Sequence, residues 1–313
     1  MYKSVFITIF LLLSACSQTS LQVIEGKTMG TTYRIKVVGK NIDKSLIEKR
    51  LSKINRIFSN WDPNSEVSLL NQSQLGTHQL VSDELAKVVK TSKLVYQQTQ
   101  GFFDPGIGRL IDLWGFGAVK VEQQPTRAEV AKALELSSLR YLKTKGNTVE
   151  KTRDIHLNLS AIVKGYALDE IATLLENQGI ENFIIEIGGE VKTRGTNRGQ
   201  KWRVGIEKPT YARPIEITLD NQAIATSGNY RNYLIWEGHH YMHILDPNTG
   251  LPATTDLSSV SVIHESAMMA DAYATAMMAM GSIGATQLAQ KHKLSVVMIL
   301  DKSNDFKVVK INP

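Results

Sequence analysis

The 313-residue sequence has a single cysteine, Cys16. An internal disulfide is therefore excluded, and so are Cys-based zinc sites and thiol catalysis in the body of the chain. Several common signatures are also missing: GxxxxGK[ST], a GxGxxG after a strand, a nucleophile elbow, and HExxH. The net charge of +6 comes from basic residues mixed with acids, as in EKRLSKINR and KTKGNTVEKTRD. No basic stripe with interleaved aromatics occurs, so nucleic acid is not an expected partner. Nor does an internal repeat, a low-complexity linker or a Pro-rich hinge divide the chain.

What is present begins at the N-terminus. Lys3 precedes an apolar run, Val5–Leu13, of nine residues. A helix needs about 20 apolar residues to span a bilayer, so this run is too short. A basic start, a short apolar core and small residues before a break are marks of a secretory signal. The break, Leu13-Ser14-Ala15-Cys16, resembles a bacterial lipobox. This reading makes residues 1–15 a signal peptide, Cys16 the lipidated residue, 16–24 a tether and 25–313 the folded domain. The alternative is an ordinary signal peptide with an incidental cysteine. A lipidated chain is held at a membrane surface as a soluble domain. The body's lack of cysteine suits an oxidising compartment.

Periodicity outlines the domain. TTYRIKVVG (31–39) alternates as a strand. Ile47, Leu51, Ile54 and Phe58 form one helix face. Further helices are expected at 82–101, opened by Ser82, after the capping box Thr126-x-x-Glu129, and at 160–179. Strand-like runs then follow one another from 181 to 265 without intervening helices. An Ala/Met helix (268–281), a helix over 282–292 and two strands close the chain. Adjacent strands favour an α+β fold with mixed, largely antiparallel sheets and flanking helices, over a doubly wound parallel sheet.

Three stretches could carry chemistry. HHYMH (239–243) offers three histidines, but no third ligand in zinc geometry is evident, and one functional histidine beside two exposed ones is expected. In NLSAIVKG (158–165), a strand is expected to hand over to a helix at Asn158 and Ser160. Backbone N–H groups at such an end attract anions, and Lys164 adds a charge one turn in. A plain helix cap with a surface lysine is the alternative. In MMADAYATAMMAMG (268–281), Asp271 and Thr275 share one face of an otherwise apolar helix. Both are hard oxygen ligands, and magnesium commonly takes only one or two protein carboxylates. A buried aspartate that merely accepts hydrogen bonds remains open.

Eight stretches in order resemble the ApbE family of flavin transferases: KTMGTTY, the aromatic in SNWDPNSEVSLLN, GFFDPGIGRLIDLWGFG, NLSAIVKGYALD, IIEIGGEVKTRG, ATSGNYRNY, HILDPNTGLP and ADAYAT. The resemblance runs from about residue 25 to the C-terminus. It implies a two-lobed ApbE-like fold and Mg²⁺-dependent transfer of FMN from FAD onto a Ser or Thr of another protein, releasing AMP. It also implies the roles of individual residues. Met29 would contact the flavin, and Trp61, where the family often has Tyr, would stack on a ring. Phe102, Phe103 and Asp104 would hold the adenosine half, with Lys164 near the diphosphate and Leu245 near the ring system. Asn158 stands where some members have Asp, keeping the acceptor oxygen without the charge. The metal would bind Asp271, Thr275 and the carbonyl of Ala161. His243 would be the general base, with Asp271 as a further catalytic carboxylate.

The implied partner is a membrane redox protein with a Ser/Thr-Gly-Ala-Ser/Thr motif, which this chain itself lacks. The implied location is the periplasmic side of the cell envelope, by family at the inner membrane. Ser17 after the cysteine leaves the outer membrane open. Two other outcomes fit the same residues: an FAD pyrophosphatase giving FMN and AMP, and a non-catalytic flavin-binding lipoprotein.

Overall fold

The computed structural model describes residues 20–312, apart from 211–212, 230–232, 237 and 303–304. The signal peptide and Cys16 lie outside the described residues. The tether expected up to residue 24 ends earlier, because Leu21–Ile24 already belong to the first strand. Its alternation is weak in sequence; pairing along the whole of the next strand draws it into the sheet.

β1 (Leu21–Thr28) and β2 (Thr31–Val38) form a hairpin. Its two-residue turn, Met29-Gly30, has positive φ at both positions (48° and 71°). That is the backbone twist two-residue hairpins favour. A helical section follows: α1 (Lys44–Phe58), α2 (Glu66–Gln72), β3 (His78–Leu80), α3 (Asp83–Gln98), α4 (Gly108–Leu113) and α5 (Arg127–Glu135). The expected capping box of α5 is formed, with both Thr126–Glu129 bonds present. β4 (Leu142–Lys145) and β5 (Thr148–Lys151) complete a small sheet with β3. Then come α6 (Ser160–Asn177), β6 (Phe183–Ile187), β7 (Glu190–Arg194), β8 (Trp202–Ile206), β9 (Ile215–Leu219) and β10 (Ala223–Gly228). The chain ends with β11 (Tyr233–Trp236), β12 (His239–Met242), β13 (Leu257–His264), α7 (Ala267–His292), β14 (Ser295–Lys302) and β15 (Asp305–Ile311).

The main sheet has eight strands in the order β1-β2-β6-β7-β10-β13-β14-β15, each pair antiparallel. The α+β expectation thus holds. α6 and α7 pack against each other and on the sheet. The β8–β9 ribbon packs with other sheet residues, Ile206 and Leu219 joining Ile224, Ile263, Val297 and Ile299. The two lobes, main sheet and helical section, share one apolar core: Ile35 and Val262 belong to the same cluster as Val88 and Val149. Among the described residues no helix is long and apolar enough to cross a membrane. α7 is broken at Gly281 (φ 73°, ψ 177°), where the sequence places a new helix at 282. The second half is recapped by Asp256, which accepts from the backbone N–H (2.9 Å) and hydroxyl of Ser282 (2.5 Å).

A charged network joins α1, α3 and α6. Arg50 donates to Glu84 (2.8 Å) and Glu170 (2.9 Å), Lys53 pairs with Glu84 and Lys87 with Glu170, and the Tyr166 hydroxyl donates to Glu84 (2.9 Å). Burial pushes the Glu84 carboxyl up, but Lys53, Arg50 and Tyr166 outweigh it and hold it at about 2. A depressed acid stabilises the fold above its unfolded value, and that stability is lost as pH falls through the folded value. Glu84→Gln should therefore flatten the loss of stability between pH ~4.5 and ~2. Urea unfolding of both proteins across that range checks this; equal pH slopes would refute the assignment.

Candidate active site

A cleft of about 750 Å³ lies where the N-terminal turn of α6, the 102–107 segment, the β6–β7 turn, β8, β10, the 243–247 segment and α7 converge. It brings together Phe102, Phe103, Asp104, Asn158, Ala161, Lys164, His243, Leu245, Asp271 and Thr275, residues scattered over more than half of the sequence. Two expected residues are not in its lining. Met29 sits in the β1–β2 turn, partly buried against the main core. Trp61 is 71% exposed, so its indole forms no wall of the cleft here. It occupies a turn pinned by Asn60, which donates to the Leu157 carbonyl (2.8 Å), and by Ser65, which donates to the Ser59 carbonyl (2.6 Å).

The approach to α6 is a loop rather than the expected strand. Asn71 braces it, accepting from Leu157 N–H (2.7 Å) and donating to the Leu157 carbonyl (2.9 Å). Asn158 N–H then donates to the Pro105 carbonyl (2.8 Å), and the Asn158 side chain accepts from Ser160 N–H (3.0 Å). The 102–107 segment is thus tied to the start of α6. Asp104 is not free to bind a ligand with both oxygens. Its Oδ1 accepts from Gly106 and Leu139 N–H groups, both at 2.8 Å. Burial pushes its carboxyl up to about 6 despite those bonds.

α6 and α7 meet at Gly165. Its N–H donates to Asp271 Oδ2 at 3.0 Å, and Asp271 is 4% exposed. Asp169, one turn on, grips the N-terminus of α7: it accepts from Ser266 Oγ (2.8 Å), Ala267 N–H (3.0 Å) and Met268 N–H (3.1 Å). Lys192 neutralises it at 2.7 Å. Ser266 caps α7, accepting from Met269 N–H. Four residues past Asp271, the Thr275 hydroxyl lies 3.4 Å from Ser227 of β10.

Electrostatics concentrate at three groups. Lys164 pairs with Glu190 at 2.5 Å. Burial works against the ammonium, but Glu190 and Asp271 together hold its pKa above the ordinary range. Burial also pushes Glu190 up to about 7, with Asp271 adding and Lys164 opposing. Asp271 is raised for the same reason, and Lys164 and the Gly165 N–H oppose the shift. Glu190 was not singled out from the sequence. An acid after Gly-Gly reads as a turn, and only the partly apolar strand it opens hinted at burial.

The oxygen chemistry suits a hard divalent cation. Asp271, Thr275 and Ala161 line the cleft and supply a carboxylate, a hydroxyl and a carbonyl. Among the described residues, no group of three or more His, Cys, Asp or Glu is gathered to hold a metal. HHYMH accordingly builds no zinc site: His239 and His240 are exposed, and His243 alone reaches the cleft.

The sequence profile of the ApbE family matches residues 29–299. The chain belongs to the ApbE family. An FAD:protein FMN transferase of Vibrio cholerae is 37% identical over 310 residues, covering 95% of this chain and 93% of that protein. One of Escherichia coli is 33% identical, covering 92% and 87%. Among solved structures, the flavin transferase ApbE from Vibrio cholerae superposes with a TM-score of 0.88 at 35% identity, covering 93% of this chain and 97% of that one. The apo flavinyl transferase ApbE of Pseudomonas stutzeri gives 0.87 at 29% identity, covering 93% and 95%. The family's architecture therefore carries this chain's cleft.

Proposed function

We propose that this chain is an FAD:protein FMN transferase. One observation carries the reading. The Asp271/Thr275 oxygen pair, the Lys164 ammonium, the Phe102–Asp104 segment and His243 share a single cleft. They do so in a chain 37% identical to an enzyme of that name.

FAD would lie along the cleft, its adenosine half at Phe102 and Phe103 and its ring system at Leu245, with Met29 and Trp61 approaching from outside the lining. The Lys164 ammonium would face the diphosphate. Asp271, Thr275 and the Ala161 carbonyl would hold a magnesium ion, which when bound supplies charge neutralisation at the diphosphate. The acceptor's Ser or Thr oxygen attacks the FMN-side phosphorus in line, forming the P–O bond of the phosphoester. The bond from that phosphorus to the bridging oxygen breaks, and this oxygen leaves with AMP. His243 accepts the hydroxyl proton. The acceptor is a redox protein with a Ser/Thr-Gly-Ala-Ser/Thr motif. A lipid on Cys16 would hold the enzyme on the periplasmic side of the membrane beside it; fatty-acid labelling of the expressed full chain tests this.

The deciding experiment incubates the protein with FAD, Mg²⁺ and a peptide bearing that motif. The expected result is a mass gain of one FMN phosphoester on Ser or Thr, with one AMP released per peptide modified. Rapid AMP release without the peptide would mark a hydrolase instead, and no AMP under either condition would mark a flavin-binding protein.

A further inference from the structure

The buried charges of the cleft do not balance in pairs. Two buried carboxylates, Asp271 and Glu190, line the cleft beside one ammonium, Lys164. Glu190 is 3% exposed and Asp271 4%. The ammonium is hydrogen-bonded to Glu190 Oε1, at 2.5 Å. Glu190 Oε2 is buried with no hydrogen-bond partner. Asp271 has the Gly165 N–H on Oδ2. Lys164 and Asp271 line the same cleft, and the residue next to Lys164 already bonds Asp271 through its N–H, so an ammonium released by Glu190 has that carboxylate beside it to offset its desolvation cost.

The geometry points to Glu190 as a positioning residue that keeps Lys164 off Asp271, leaving that carboxylate for the metal. Without Glu190, the half-buried ammonium has Asp271 as its neighbouring carboxylate in the cleft. It would then sit on the metal's only carboxylate ligand, and a cation would have to displace it. The backbone holds Glu190 in place. It opens β7 directly after Gly188 and Gly189, both with positive φ, and Gly189 N–H is fixed by Glu186 at 2.7 Å. The role concerns metal occupancy, upstream of any transfer step, and it rests on the metal assignment proposed above.

The test is a double-mutant cycle read as Mn²⁺ affinity, measured by titration calorimetry on the full chain without FAD. Glu190→Gln is expected to weaken Mn²⁺ binding at least tenfold. In a Lys164→Met background the same change should cost less than about threefold, since no ammonium remains to compete. A uniform loss of negative charge would weaken binding equally in both backgrounds, and that result would overturn the proposal. So would wild-type affinity in Glu190→Gln alone. Should Glu190→Gln fail to fold, Glu190→Asp in the same two backgrounds serves, as it withdraws the carboxylate by one methylene. Asp271→Asn separates the two ideas. If it binds Mn²⁺ as tightly as wild type, the metal assignment itself fails; if it does not, the cycle judges Glu190 alone.

Discussion

Asp271→Asn should abolish measurable FMN transfer while leaving the protein folded. The amide oxygen can still accept from Gly165 N–H, so the α6–α7 contact at 3.0 Å is retained. What disappears is the one carboxylate among the proposed metal donors. Metal stabilisation of developing phosphoryl charge amounts to several kcal/mol, and each 1.36 kcal/mol is tenfold in rate, so a loss of at least about 10²-fold is expected. The thermal response separates chemistry from folding. An unpaired buried carboxylate is costly, so the metal-free variant should melt no lower than wild type. Its Mg²⁺-dependent rise in Tm should be absent. A variant that transfers FMN at the wild-type rate would remove Asp271 from the site, and a large drop in metal-free Tm would make its role structural.

Gly165→Ala should destabilise the protein although it places a better helix former in the middle of α6. The propensity gain is about 1 kcal/mol at most. Against it, an added Cβ would lie 2.2 Å from the Ala267 carbonyl oxygen and 2.7 Å from Met268 Cα. Both are backbone atoms at the start of α7, clamped there by Asp169. Neither can swing aside as a side-chain tip would, so the helices must separate. Overpacking commonly costs about 1–3 kcal/mol, and a contact this short belongs at or above the top of that range. The clash wins, and Tm should fall by roughly 5 °C or more, at about 2–4 °C per kcal/mol for a large domain. Separation also draws Asp271 and Thr275 on α7 away from the Ala161 carbonyl on α6, so Mn²⁺ affinity should fall with it. An unchanged or higher Tm would show that the two helices are not held as tightly as this packing requires.

Much of the local structure was legible because local signals carry it. The α5 capping box and the Ser82 and Ser266 caps each depend on neighbours within a few residues. The antiparallel pairs β1–β2, β6–β7 and β14–β15 follow from strands adjacent in sequence, whereas β2–β6, β7–β10 and β10–β13 join strands that are not. The errors arose where remote contacts decide. The approach to α6 is a loop because Asn71 takes up the Leu157 backbone groups, which a strand partner would otherwise use. The exposure of Trp61 is likewise set from afar, since the turn that carries it is pinned by Asn60 donating to the Leu157 carbonyl.

The site divides in the same way. Composition and spacing alone settled that no thiol or Walker-type chemistry is available, and that one apolar helix carries a carboxylate and a hydroxyl on a single face. These follow from residue types and the 3.6-residue helical period. Ordered motifs added the family. The tertiary structure alone decided that Glu190 is buried against Lys164 and that Gly165 is the point of helix contact. It also set Asp169, far along the chain, to fix the start of α7. The physical reason is desolvation. A charge becomes consequential when folding removes its water and leaves it a few chosen partners, and those partners come from elements widely separated in sequence.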